Sequence, residues 1–123
     1  MSAEAKTILT VDDSRTMRDM LRLALAEAGF KVVQAIDGAE GLERLASGGA
    51  DVIITDINMP NLDGLGFIER VRADQRHRAI PILVLTTESE PDMKERARQA
   101  GATGWIVKPF NPGKLVDAIR RVA

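Results

Sequence analysis

Three aspartates, a threonine and a lysine are the residues of this 123-residue chain best placed to do chemistry. Asp12 and Asp13 follow the apolar run TILTV, Asp56 follows VIIT, Thr86 closes ILVL and Lys108 follows WIV. Each run has the length of a buried strand, so each of these polar groups arrives where a strand ends. A carboxylate there is costly to desolvate unless a cation or hydrogen-bond donors meet it. Two unit charges about 4 Å apart interact by roughly 4 kcal/mol at an effective dielectric near 20. Repulsion of that size pushes protons onto a cluster of acids. A hard divalent cation removes the conflict, and oxygen ligands at a water-filled mouth suit magnesium. Thr86 would add a hydroxyl donor and Lys108 a mobile ammonium that prefers anionic oxygens. The set then describes a pocket for a phosphoryl group, with a carboxylate as nucleophile. Taken singly the residues have plainer roles: Asp12 and Asp13 can cap a helix, Thr86 can cap a strand end and Lys108 can be a solvated lysine. Asp56, at the end of a different strand, favours the metal site.

Such residues need a scaffold that brings strand ends together. Strands are expected at TILTV (7–11), KVVQA (31–35), VIIT (52–55), PILVLT (81–86) and GWIV (104–107). Segments of helical period alternate with them. The first helix carries Met17, Met20, Leu21, Ala24, Leu25 and Ala28 as one apolar stripe, with Ser14 as N-cap and Gly29 as its stop. The second is expected to turn Ala39, Leu42, Leu45 and Ala46 inward. The third, starting near Asp63, offers Leu65, Ile68 and Val71, and the last Leu115, Ala118, Ile119 and Val122. The fourth, within EPDMKERARQAG, has only Met93, Ala97 and Ala100, so it buries little and should be loosely held. This alternation implies an α/β doubly wound fold, a five-stranded parallel sheet with helices on both faces. Ligands in such sheets sit beyond the carboxyl ends of the strands. With strand order 2-1-3-4-5, strands one and three are neighbours at the switch point, and Asp12, Asp13 and Asp56 converge there.

Composition narrows the classes. The chain is long enough to bury a core, and 45% hydrophobic with 28% charged residues is ordinary for a soluble domain. A formal net charge of −1 gives no general drive toward nucleic acid or anionic membrane. The lack of cysteine excludes disulfides, thiolate metal sites and a cysteine nucleophile. The apolar run in MSAEAKTILTVDD is too short for a signal peptide or a membrane span, so a cytoplasmic protein without membrane insertion is expected. His77, in DQRHRA, reads as an exposed loop histidine. Gly64 and Gly66 form no phosphate-binding fingerprint, and no GxxxxGK occurs.

The motifs VDDS (11–14), DINMPNLDG (56–64), LTT (85–87) and KPF (108–110) occur in that order at the strand ends. In this combination the chain resembles, over essentially its whole length, the receiver domains of two-component response regulators, above all the stand-alone chemotaxis type. The resemblance implies a (βα)5 flavodoxin-like fold and a single receiver domain over residues 1–123 with no effector domain. It implies that Asp56 is the phosphoacceptor, with Asp12, Asp13, Asp56 and the Asn58 carbonyl around Mg2+. Lys108 would contact the phosphoryl group and Thr86 would be the switch residue. Lys108–Pro109 resembles the family's cis peptide, and proline is the residue for which that isomer is cheap. Trp105 matches the family's switch aromatic, where tyrosine or phenylalanine is commoner. Asn58 and Glu88 match the positions that tune the acyl-phosphate lifetime, and Thr87 stands where alanine is often found.

By the same resemblance the partners are a histidine kinase and, for the chemotaxis type, a flagellar motor switch protein, with the regulator a monomer rather than a classical enzyme. A phosphate sink or phosphorelay intermediate shares the pocket and differs only in output. The cationic residues Lys94, Arg96, Arg98, Lys114, Arg120 and Arg121 on the last two helices read as a solvated face. A small flavodoxin-like enzyme or cofactor binder would need a phosphate-binding loop after the first strand, where VDDSRT places two acids. A haloacid-dehalogenase-type phosphatase wants a second acid two residues after its nucleophile, where Asn58 stands. Direct DNA binding is not expected, for want of an effector domain.

Overall fold

The structure, a computed structural model, describes residues 5–87 and 91–123. Five strands, β1 (Thr7–Val11), β2 (Lys31–Ala35), β3 (Val52–Thr55), β4 (Ile82–Thr86) and β5 (Gly104–Val107), form one parallel sheet of order β2-β1-β3-β4-β5. Five helices alternate with them: α1 (Arg15–Glu27), α2 (Gly38–Gly48), α3 (Gly64–Ala73), α4 (Pro91–Ala100) and α5 (Pro112–Val122). The expected strands and their order are therefore found. The one shift is Pro81, which precedes β4: its carbonyl accepts from Ile53 N–H at 2.9 Å, but it has no N–H to give to a ladder.

The central strands β1, β3 and β4 are buried on both faces, so their near-continuous apolar runs match a sheet covered on both sides. One core layer joins Ile8, Val52 and Ile54 to Leu21 and Leu25 of α1 and Leu115 and Ile119 of α5. The other joins Leu9, Val11 and Ile53 to Leu45 of α2, to Phe67, Ile68 and Val71 of α3, and to Ala97 of α4. A fully buried leucine or isoleucine contributes about 1.5–3 kcal/mol. Among the described residues α4 buries only Ala97, so the expectation of a thinly packed helix holds.

Helix ends follow the local chemistry. Ser14 Oγ accepts from Met17 N–H at 3.2 Å, Asp63 Oδ1 from Gly66 N–H at 2.8 Å and Asn111 Oδ1 from Lys114 N–H at 3.1 Å. Gly29, with φ 93°, takes the chain out of α1 in a conformation that only glycine adopts freely. Two faces differ from expectation. Met20 is 44% exposed because Leu21 and Leu25 already fill the contact of α1 with the sheet. On α2, Gly38, Gly41 and Leu45 point inward and Ala39 and Ala46 outward. Phe67 takes the space: a Cβ on Gly41 would lie 2.8 Å from its ring, so only glycine lets the two helices meet there. Among the described residues no helix is long and apolar enough to cross a membrane.

Candidate functional site

Strand register sets the site. Val11 lies opposite Thr55, so Asp12 and Asp56 leave adjacent strands at one level, and Asp56 N–H donates to Val11 O at 2.9 Å. Asp12 N–H donates to Ala35 O at 3.1 Å on the other side. Thr86 lies opposite Val107, and Lys108 N–H donates to Thr86 O at 2.8 Å, which brings the lysine to the same rim. One carboxylate oxygen from each of Asp12, Asp13 and Asp56 lies within 4.8 Å of the others. Lys108 Nζ stands 3.4 Å from Asp12 Oδ2 and 3.3 Å from Asp56 Oδ2, bridging the two acids as an ion pair.

The three acids are not equivalent. Asp12 is buried, Asp56 half-buried and Asp13 exposed. Asp12 Oδ1 accepts from Ser14 N–H at 2.9 Å, and the Asp12 carbonyl accepts from Arg18 Nη1 at 2.9 Å. Burial raises the Asp12 carboxyl above its ordinary value; the Ser14 N–H opposes this rise, the Asp56 charge adds to it, and Lys108 opposes it. Asp56 Oδ1 accepts from Ile57 N–H at 2.7 Å, which fixes the carboxylate at the mouth while leaving it partly open to solvent. Three carboxylates against one ammonium leave negative charge uncompensated. An all-oxygen donor set with one buried and one exposed member fits a hard divalent cation that keeps some of its water.

The other residues expected at the site lie on the strands and in the connections that follow them. Thr86 is buried at the end of β4, and Thr87 is exposed just beyond it. Lys108–Pro109 is a cis peptide, as the sequence motif implies. Asn58 is exposed in the connection after β3. Trp105 is 38% exposed on β5, and Lys94 Nζ stands 5.1 Å from its ring centroid, so Lys94 is not simply a solvated charge. Glu88 lies outside the described residues. His77 is not the exposed loop residue expected from DQRHRA: its side chain is only 12% exposed, with Nδ1 3.5 Å from Asp74 Oδ2. The connection turns back on itself through His77 N–H to Asp74 O at 3.0 Å and Ile80 N–H to His77 O at 3.1 Å.

Sequence reasoning missed three residues. Gly64 was set aside for lack of a fingerprint, yet a Cβ there would lie 2.1 Å from the Asp56 carbonyl oxygen. Asp37 caps α2 and bonds Asn61, whose φ of 66° is left-handed. Asp-Gly ahead of a helix and Asn-Leu-Asp-Gly after the acid are the turn signals that mark them.

Residues 8–120 match the family described as response regulator receiver domain. Among curated proteins, the chemotaxis protein CheY of Pseudomonas aeruginosa is 40% identical over 116 residues, covering 94% of each chain. Among solved structures, the chemotaxis response regulator CheY4 of Vibrio cholerae superposes with a TM-score of 0.92 at 42% identity, over 98% of this chain and 100% of that one. The receiver domain of a sensor histidine kinase from Pseudomonas aeruginosa superposes with a TM-score of 0.89 at 27% identity, over 96% of this chain and 97% of that one. That structure has a magnesium ion coordinated in its active-site cleft. With the family matched over residues 8–120 and relatives matched over nearly the whole length, the chain belongs to the response regulator receiver domain family.

Proposed function

We propose that this receiver is a phosphorylation-activated response regulator whose acceptor is Asp56. The observation that carries the reading is the convergence of Asp12, Asp13 and Asp56 on one rim with Lys108 bridging two of them. Asp12, Asp13, Asp56 and the Asn58 carbonyl would hold Mg2+, which when bound supplies positive charge to a phosphoryl group and to the acids themselves. An Asp56 carboxylate oxygen attacks phosphorus, the bond from phosphorus to the donor's histidine nitrogen breaks, and the electron pair leaves with the imidazole. Lys108 supplies a second cation for the phosphoryl oxygens, and the Thr86 hydroxyl donates to one of them. Holding Asp56 by the Ile57 N–H keeps an oxygen aimed at the incoming group, which lowers the cost of orientation. Asn58, Thr87 and Glu88 would set how readily water reaches the acyl phosphate. The chemotaxis names of the relatives support a chemotaxis kinase as donor and the flagellar motor switch as target.

The test is labelling by a small-molecule phosphodonor in the presence of Mg2+, followed by intact mass. The wild type gains one phosphoryl mass and Asp56→Asn gains none; equal labelling of the two rejects Asp56. Phosphorylation-dependent binding to a motor switch protein identifies the output, whereas labelling without any such binding fits a phosphate sink.

A further inference from the structure

The connection from Asp56 to Gly64 is tied at both ends: Ile57 N–H donates to Asp56 Oδ1 at 2.7 Å, and Gly64 N–H donates to Ile57 O at 2.7 Å. Its middle is tied to a different element. Asn61, with φ 66°, directs Nδ2 to Asp37 Oδ2 at 2.7 Å. The left-handed region is one that asparagine tolerates better than other side chains. Asp37 is 5% exposed, and its second oxygen accepts from Glu40 N–H at 2.8 Å to cap α2. Beside it, Gly38 N–H donates to Leu62 O at 3.1 Å, and a Cβ on Gly38 would lie 2.7 Å from that oxygen. Glu40 Oε1 accepts from Ile36 N–H at 2.8 Å, so the start of α2 is itself pinned to the end of β2. The Glu40 N–H, then the Asn61 amide, hold the Asp37 carboxyl below its ordinary value. The bond to Asn61 is therefore charge-assisted and among the stronger kinds.

We propose that Asp37 and Asn61 are positioning residues for the phosphoacceptor: their bridge fixes the segment that carries Ile57 and Asn58, and through it the aim of Asp56 and the affinity of the acidic cluster for a divalent cation. Neither residue belongs to that cluster. A chain that leaves Asp56 through a bond to its own carboxylate transmits any slack in the segment to that carboxylate. The Asp37–Asn61 bond and the Gly38–Leu62 bond remove that slack by fastening it to a capped helix. The inference rests on the reading of the acidic cluster as a Mg2+ site.

The test is calorimetric titration of MgCl2 into the whole protein, with melting in EDTA measured alongside. Asn61→Gly keeps the left-handed backbone open and removes only the amide. It is expected to weaken Mg2+ binding about 10-fold, in the range seen when partners of metal ligands are lost. The exchanged pair Asp37→Asn with Asn61→Asp again joins one amide to one carboxylate at unchanged net charge, and is expected to bind Mg2+ within about 2-fold of wild type, since additivity fails for such neighbours. Wild-type affinity in Asn61→Gly, whatever its melting temperature in EDTA, overturns the proposal and leaves the bridge a helix cap alone. So does an exchanged pair as weak as Asn61→Gly. A wild type that takes up no Mg2+ defeats the metal-site reading and this one with it, and is seen before any variant is compared.

Discussion

Asp12 carries the sharpest conflict at the residue scale, a carboxylate with 1% exposure beside a second acid. Its carboxyl is raised chiefly by burial, so the ionised form is the penalised one. That penalty is present in full above the folded-state value and fades as pH falls through it toward the unfolded value. In EDTA at neutral pH, Asp12→Asn is therefore expected to melt higher than wild type, and the gap to close as the solution is acidified through that window. Saturating Mg2+ should reverse the order, because an ion bound only by the native state stabilises the protein that holds it better. Calorimetry of both proteins with and without Mg2+ checks this, and a variant that melts lower in EDTA contradicts it. Labelling of Asp56 is expected to change Trp105 fluorescence in the wild type, and Lys108→Ala to allow some labelling but abolish that change. A full change in that variant counts against its role. The three acids, Thr86 and Lys108 were legible because polar groups at the ends of apolar runs stand out. Asp37, Asn61 and Gly64 were not, since their work lies in a hydrogen bond across 24 residues and in a backbone approach that no hydropathy pattern records.

Elements were legible where one kind of side chain dominates the contact. Strands β1 to β5 and helices α1, α3 and α5 follow apolar runs and stripes, and the starts of α1 and α3 follow Ser14 and Asp63. The inward face of α2 was misread because Gly38 and Gly41 contribute no apolar signal, though their lack of a side chain is what admits Phe67 and Leu62. The same physics governs the start of α3. Gly64→Ala would drive a Cβ to 2.1 Å from the Asp56 carbonyl oxygen, and backbone there cannot yield as a flexible side chain would. The variant is expected to lose about 1–3 kcal/mol, the usual cost of overpacking a filled site. It should also label more slowly, because the displaced carbonyl belongs to the acceptor. Urea denaturation beside a labelling time course checks both, and an unchanged midpoint contradicts the close approach.

At the scale of the whole molecule, a rigid sheet presents the site while one helix beside it is thinly held. The α4 helix buries Ala97 alone among the described residues, whereas α5 buries Leu115 and Ile119. Amides of α4 are therefore expected to exchange with deuterium faster than those of α5, and protection in the opposite order would contradict that difference in packing. A phosphoryl group can act on a partner only by favouring one of two pre-existing states, and a shift of α4 would disturb few buried side chains. The fold and its acidic rim followed from the sequence, but the contact of Lys94 with Trp105 did not, because it joins separate elements. The most direct measurement is the site and metal dependence of phosphorylation in the wild type. The protein is treated with a phosphodonor, the acyl phosphate is trapped by borohydride reduction, and the peptides are mapped by mass. The trapped residue should be Asp56, in Mg2+ and not in EDTA. Trapping at another residue, or equal trapping without the metal, would contradict the account.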